Sequence, residues 1–315
     1  MVRELHLTEE LDDEYCDGLA GTMLDVDSFD HLVSGESVKV YKPNGQLLMY
    51  YMHDQVPNHI CLEAYSALKS ASKTSRNRGI SAGVVKADEV DSLPGQVELV
   101  EGTRVYRRKG DGTLSQTNEA KPVNSGIIGY FDRSVRMPYC RQTQWNIDNK
   151  EKFVKALPFL QACSESFKEG VPERYEAQEK IVSDTSGDFI IPDTVFTTIT
   201  VNSNWQTAVH KDAGDYKRGL GVMSVLRAGA YEGAYLCFPK YRTAVDMATG
   251  GVCLADVHEW HGNTPILNPT LTKYNRLSCV MYYRAKMHYC GTADQELQRV
   301  KSRKKGDKVD GYIDE

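Results

Sequence analysis

His210-Lys211-Asp212 sets an imidazole and a carboxylate two residues apart. On a β-strand those two side chains leave the same face, because the side-chain period is two. A second histidine returning from a later strand would complete a 2-His-1-carboxylate set. That set leaves three positions open on Fe(II) and typifies non-haem iron oxygenases. The segment Asp256-Val257-His258-Glu259-Trp260-His261-Gly262-Asn263-Thr264-Pro265 supplies two candidates. His261 is preferred, since Gly-Asn-Thr-Pro suits a strand running into a turn. His258 is the alternative ligand, or a residue that orients the others. The 49 positions from Asp212 to His261 leave room for intervening strands.

Iron of this kind needs an electron donor, and 2-oxoglutarate as donor needs a cation for its distal carboxylate. Arg276 follows His261 on the next expected strand. Its guanidinium can clamp a carboxylate with two parallel hydrogen bonds, which lysine cannot do. Ser278, two residues on and on the same face, adds a hydroxyl. Each piece alone has a plainer meaning: His-x-Asp arises by chance, and a strand-borne arginine usually forms a surface salt bridge. The order His-x-Asp, His, Arg-x-Ser is what favours the iron site.

The elements that must hold these residues follow from pattern. Residues 37–41 and 47–52 read as strands joined by the turn Pro43-Asn44-Gly45. Residues 58–69 carry apolar side chains at helical spacing. Residues 70–95 turn polar, and Lys73-Thr74-Ser75-Arg76-Asn77-Arg78-Gly79 is either a solvated loop or a phosphate-contacting segment. Strands are expected at 98–108 and 126–131, and helices at 149–163, despite Pro158, and from Pro172 to about 182. Beyond 189 the chain is β-rich, with strands at 194–201, 221–226, 234–238, 252–256 and 276–284, and the His-x-Asp strand among them. Short strands with tight turns after a helical region predict an α+β fold. Its core is a double-stranded β-helix of the jelly-roll or cupin kind, with supporting helices and an N-terminal extension. The chain divides accordingly into an extension with small strands, a helix and a polar loop (1–125), a dioxygenase core with flanking helices (126–290) and a charged tail (291–315).

Composition sets the outer bounds. A chain of 315 residues can bury a sizeable core, and 41% hydrophobic with 26% charged residues is ordinary for a soluble globular protein. No apolar run approaches the roughly 18 to 20 residues that span a membrane, and acidic residues follow the N-terminus where a secretory leader would be apolar. The eight cysteines include no Cys-x-x-Cys pair, which argues against a zinc knuckle. Free thiols in a reducing, intracellular compartment (cytoplasm or nucleus) are the simpler reading. The net charge of −5 argues against non-specific coating of nucleic acid and leaves room for a local basic groove.

The stretch 197–284 resembles the TET/J-binding-protein (JBP) family of Fe(II)/2-oxoglutarate dioxygenases, which oxidise the 5-methyl group of pyrimidines in DNA. The matching pieces are Asn202-Ser203-Asn204-Trp205, His210-Lys211-Asp212, His261-Gly262-Asn263 and the run from Arg276-Leu277-Ser278 to Tyr282-Tyr283-Arg284. Upstream, Tyr139-Cys140-Arg141-Gln142-Thr143 resembles the family's Cys-Arg-Leu-Thr segment, and Arg76-Asn77-Arg78-Gly79 its Asn-Arg-Gly loop. The resemblance implies iron at His210, Asp212 and His261, and 2-oxoglutarate at Arg276 and Ser278, with O2 as co-substrate. It implies hydrogen abstraction from the methyl group of a flipped base stacked on Tyr282. Polar base contacts fall on Asp215 and Arg284, where cytosine-acting members carry Asn and His. A carboxylate at 215 can accept from the N4 amine of cytosine, whereas thymine presents an acceptor there, so 5-methylcytosine is favoured over thymine. Asn202, Arg141, Arg76, Arg78 and His258 are read as support for the site or for DNA, with the arginine-rich segments around Arg76 and 133–141 gripping the backbone. The partner implied is DNA containing a 5-methylpyrimidine, with no membrane. Two alternatives stay open: an oxygenase of the same chemistry acting on a free nucleotide, small metabolite or protein, and a non-catalytic cupin-like binding protein.

Overall fold

The computed structural model describes residues 2–85, 97–100, 104–119, 121–134 and 137–302. Strand β1 (Arg3–His6), the short helix α1 (Asp13–Gly18) and strand β2 (His31–Val33) precede the hairpin of β3 (Val38–Tyr41) and β4 (Leu47–Met52). Asp12 caps α1 by accepting from the N–H groups of Glu14 and Tyr15. Helix α2 (Asn58–Leu68) buries Cys61, Ala64, Ala67 and Leu68, the face its sequence spacing predicts. After β5 (Lys73–Ser75) come three antiparallel strands, β6 (Val97–Val100), β7 (Arg104–Arg108) and β8 (Leu114–Glu119). The one strand expected at 98–108 is thus two, and 101–103 lie outside the described residues.

Strands β9 (Val123–Phe131) and β10 (Arg141–Gln142) lead into helices α3 (Gln144–Asp148), α4 (Lys150–Gly170) and α5 (Pro172–Ser183). Helix α4 continues through Pro158 because its buried face, including Phe159, Leu160, Cys163 and Phe167, holds it against the sheet. The β-rich half then runs through β11 (Thr198–Ser203), β12 (Gly221–Ala228), β13 (Glu232–Gly233), β14 (Leu236–Phe238) and β15 (Thr243–Val245). It ends with β16 (Val252–Ala255), β17 (Gly262–Asn263), β18 (Ile266–Leu267), β19 (Asn275–Tyr282) and helix α6 (Ala293–Ser302).

Nine strands of the main sheet run β1-β3-β4-β16-β12-β19-β11-β9-β10, and β5 joins β9 as the tenth. A second sheet has the order β17-β14-β15-β2. Pleating sorts the main sheet's side chains between two cores. Val222, Leu254, Leu277, Cys279 and Met281 pack with Leu68 of α2 and Phe159 and Phe167 of α4. Met223, Val225, Cys253 and Ala255 leave the opposite face and meet Leu236, Phe238 and Val245 of the second sheet. Two sheets face to face, with helices behind one of them, make the α+β jelly roll that the sequence predicts. Among the described residues no helix is long and apolar enough to cross a membrane.

Residues before 53 edge both sheets: β1, β3 and β4 lie in the first and β2 in the second. Val38, Val40, Leu48 and Met49 are fully buried in the core between the sheets. Cys140 and Cys290, 150 residues apart, form a disulfide, which corrects the expectation of eight free thiols. The other six are free and buried. The pairing arises where the chain folds back beside β10, and spacing alone cannot reveal it. The first part of the expected tail is α6, anchored by Glu296; residues 303–315 lie outside the described residues.

Candidate metal centre and its cavity

Strand β19 carries one wall of the site. Its even-numbered residues Arg276, Ser278, Val280 and Tyr282 line a cavity of about 380 Å3, while the odd-numbered ones fill the core behind. His210, Asp212 and His261 line the same cavity.

The His-x-Asp stretch is not a strand. Residues 204–220 are irregular chain pinned by isolated bridges, His210 to His261 and Asp215 to Arg284. The N–H of His210 donates to the carbonyl of His261 and that of His261 to the carbonyl of His210, both at 2.9 Å; the N–H of Asp212 donates to Val257 at 2.9 Å. Pinning to 257–261, not sheet membership, therefore brings the three side chains together. One ligand atom from each lies within 4.8 Å of the others.

Tautomers follow from the remaining contacts. His210 Nδ1 lies 2.7 Å from the Ala208 carbonyl and His261 Nδ1 lies 2.9 Å from that of Glu259. A carbonyl only accepts, so each Nδ1 carries the proton and each Nε2 turns a lone pair toward Asp212, at 3.5 and 3.8 Å from its carboxylate oxygens. Burial, and then His210, push the His261 imidazole down to about 4, so it is neutral near pH 7. Burial works to raise the Asp212 carboxyl, but His210, which donates to it from Nε2 when its ring is doubly protonated, and the charge of protonated neighbouring histidines outweigh burial, and the group is held below the ordinary range. Two imidazole nitrogens and one carboxylate are a donor set that suits Fe(II). His258 is outside this trio. Its Nδ1 lies 3.3 Å from the Asp212 carbonyl, so it braces the backbone of a ligand. The buried Lys42 fastens the 256–261 turn through Asp256 (2.8 Å) and Glu259 (2.6 Å). On the outer side Lys211 stacks over Trp260 at 4.6 Å, and the indole N–H donates to Asp17 of α1 at 2.9 Å.

Arg276 is 2% exposed. Its Nη2 donates to the Ala234 carbonyl at 3.2 Å, and its backbone N–H to Asn204 Oδ1 at 2.7 Å. No carboxylate pairs with it among the described residues. A buried guanidinium in that state is costly, and a bound dicarboxylate would offset the cost. The residues present therefore fit both iron and 2-oxoglutarate.

At the other end of the cavity stand Tyr282, Asp215, Arg284 and Arg78. Burial, and then Asp212, push the Asp215 carboxyl well above the ordinary range. Arg284 is matched to Asp132, at 2.8 Å from Nε and 2.7 Å from Nη2; this partner lies 152 residues away and follows no local spacing. Asn202 lines the cavity, and its Oδ1 accepts from Ser125 at 2.5 Å. Asn77 and Trp205 also line it, though only as neighbours of singled-out residues were they visible beforehand. Arg76 and Arg141 are not in the lining. Arg141 stacks over Phe131 at 4.9 Å and donates to the carbonyls of Asp132 and Tyr139. Arg133 bonds Glu296, so two arginines of the 133–141 segment serve internal contacts; Arg136 lies outside the described residues.

Comparison with known proteins agrees with this geometry. The fold is similar to that of NgTET1 in complex with 5mC DNA, with a TM-score of 0.52 at 12% identity over 93% of this chain and 100% of that one. The chain is 34% identical over 170 residues to the bifunctional helicase and thymine dioxygenase JBP2 of Leishmania tarentolae, covering 53% of this chain and 15% of that protein. It is 34% identical over 184 residues to the thymine dioxygenase JBP1 of Trypanosoma brucei brucei, covering 58% and 22%. The chain thus spans less than a quarter of the length of these relatives. The Tet_JBP model, described as the oxygenase domain of the 2OGFeDO superfamily, matches residues 126–285. That is just over half of the sequence, and the chain belongs to the Tet_JBP family.

Proposed function

We propose that this chain is an Fe(II)/2-oxoglutarate-dependent dioxygenase that hydroxylates the 5-methyl group of a pyrimidine in DNA. The observation that carries this reading is one cavity onto which His210, Asp212, His261, Arg276, Ser278 and Tyr282 all open. When bound, iron with 2-oxoglutarate and O2 supplies a two-electron oxidant: the keto acid leaves as succinate and CO2, keeping one oxygen atom, and the other enters a C–H bond of the methyl group. His210 and His261 hold the metal through Nε2 and Asp212 through its carboxylate. Arg276 takes the distal carboxylate of 2-oxoglutarate as a fork, with Ser278 beside it. His261 is only 4% exposed, so a base stacked in a duplex cannot reach it and is flipped into the cavity, with Tyr282 as its platform. DNA as the substrate is supported by the names of the relatives, thymine dioxygenases in two cases and a complex with 5mC DNA in the third. The site of action is then inside the cell, where that DNA is.

For the base we assign 5-methylcytosine, on the argument that an ionised Asp215 accepts from N4. Thymine is a second reading with its own support: a protonated Asp215, which its burial beside Asp212 favours, donates to O4 instead. Mass spectrometry of nucleosides after incubation with DNA carrying either base tests both. Hydroxymethylcytosine alone supports the first and hydroxymethyluracil alone the second. Succinate release with free nucleotides only would replace DNA as the substrate, and none with any substrate would leave a binding protein.

A further inference from the structure

Strands β12 and β19 pair so that Arg227 stands directly opposite Arg276. Two like charges in that position repel, and something must separate them. Arg227 is drawn to one side by Asp246. Beside both arginines, the turn after β12 sets Tyr231, which is 8% exposed. Its ring receives the Arg227 guanidinium at 4.9 Å and lies 5.4 Å from the ring of Tyr274. Its hydroxyl lies near Arg276 without a hydrogen bond of normal length, and among the described residues it has no other partner.

The turn itself is built for close approach. Gly229 has φ +76°, and a Cβ there would sit 2.3 Å from the Lys273 carbonyl, next to the start of β19. Gly233 has φ +74°, and a Cβ there would sit 2.1 Å from the Pro265 carbonyl. Glycine at both ends thus lets the turn press against the chain just before β19 and just after β17. Ala234, the next residue, supplies the carbonyl that receives Arg276 Nη2. The 229–234 turn therefore reaches Arg276 twice, through the Tyr231 hydroxyl and the Ala234 carbonyl.

We propose that Tyr231 is a positioning residue for co-substrate binding: it screens Arg276 from Arg227 and aims the Arg276 guanidinium at the distal carboxylate of 2-oxoglutarate. The proposal rests on the assignment of Arg276 to that carboxylate. A buried hydroxyl beside a buried guanidinium is worth keeping only if the direction of the cation matters, because the ring alone would satisfy packing and Arg227.

The test uses the full chain loaded with Mn(II), without turnover, and Tyr231→Phe, which keeps the ring. Titration calorimetry compares 2-oxoglutarate with oxalate, which shares the metal-chelating end and lacks the distal carboxylate. Tyr231→Phe is expected to weaken 2-oxoglutarate by about tenfold, the order of the hydrogen bond that the hydroxyl would close to Arg276 once the distal carboxylate is bound, and to leave oxalate and Mn(II) unchanged. Equal loss for both acids, or no loss for either, overturns the positioning role. Tyr231→Leu, which also removes the ring, is expected to weaken 2-oxoglutarate further; an affinity equal to that of Tyr231→Phe would overturn the screening role. If the wild-type protein binds oxalate and 2-oxoglutarate equally well, the assignment of Arg276 itself fails, an outcome distinct from either of these.

Discussion

At the scale of residues, the candidate metal centre depends on three side chains, two of which, Asp212 and His261, are held ionised and neutral respectively near pH 7. Asp212→Ala removes the only carboxylate of the trio, and we expect Mn(II) binding by calorimetry to vanish while far-ultraviolet circular dichroism is retained. His258→Ala should act more mildly. It loosens the backbone of Asp212 without removing a ligand, so a fall in metal affinity of about tenfold is expected, the lower end for groups that orient ligands. An unchanged affinity would show that the contact at 3.3 Å holds nothing in place. The order of the candidate ligands was legible in the sequence because chemistry restricts which residue types can do this work. The partners that set charge, Asp132 for Arg284 and Lys42 for Asp256 and Glu259, were not. They come from segments distant in the chain and follow no local spacing.

At the scale of elements, legibility tracked length and alternation. Strands β12 and β19, of eight residues each, announce themselves as long, largely apolar runs buried on both faces, helix α2 through the period of its buried face, and helix α5 through the proline at its first turn. Strands β2, β15 and β17, of two or three residues, are too short for any period to register and exist only because a neighbour pairs with them. The chain from 204 to 220 misled for the opposite reason: its spacing looks strand-like, while its conformation is fixed by bridges to 257–261 and 284. Helix α4 is the main support behind the sheet, and Phe159→Ala should cost about 3–5 kcal/mol in urea denaturation, the range for a large side chain removed from a packed core. Helix α6 is held instead by an ionised group. Burial opposes ionisation of Glu296, but the Arg133 hydrogen bond and the N–H groups of Gly291 and Cys140 outweigh it and hold its carboxyl below 4.5. Its stabilising contribution is therefore present above that pH and is lost as pH falls through the folded value. Glu296→Gln should melt below the wild type at pH 7, with the gap closing in acid; a gap independent of pH would exclude the ionised contact.

At the scale of the whole molecule, the Cys140–Cys290 link closes a loop of 150 residues around most of the second half of the fold. Under non-reducing conditions Cys140→Ser should lose roughly 2–4 kcal/mol of stability, and the difference should disappear when both proteins are reduced. The two sheets are also assembled from widely separated parts of the chain. Residues 31–33 pair with 243–245, 49–52 with 252–255, and 198–203 with 277–282. Pairings of such long range make folding slow, and a chain of this size passes through partly formed states. The wall that bears Arg276 and Tyr282 is the last β-strand in chain order among the described residues, yet it lies near the middle of the main sheet. A nascent chain must therefore hold β11 and β12 apart, with their inner edges unpaired, until β19 arrives to join them. The wall of the candidate site and protection from aggregation are then gained in the same step.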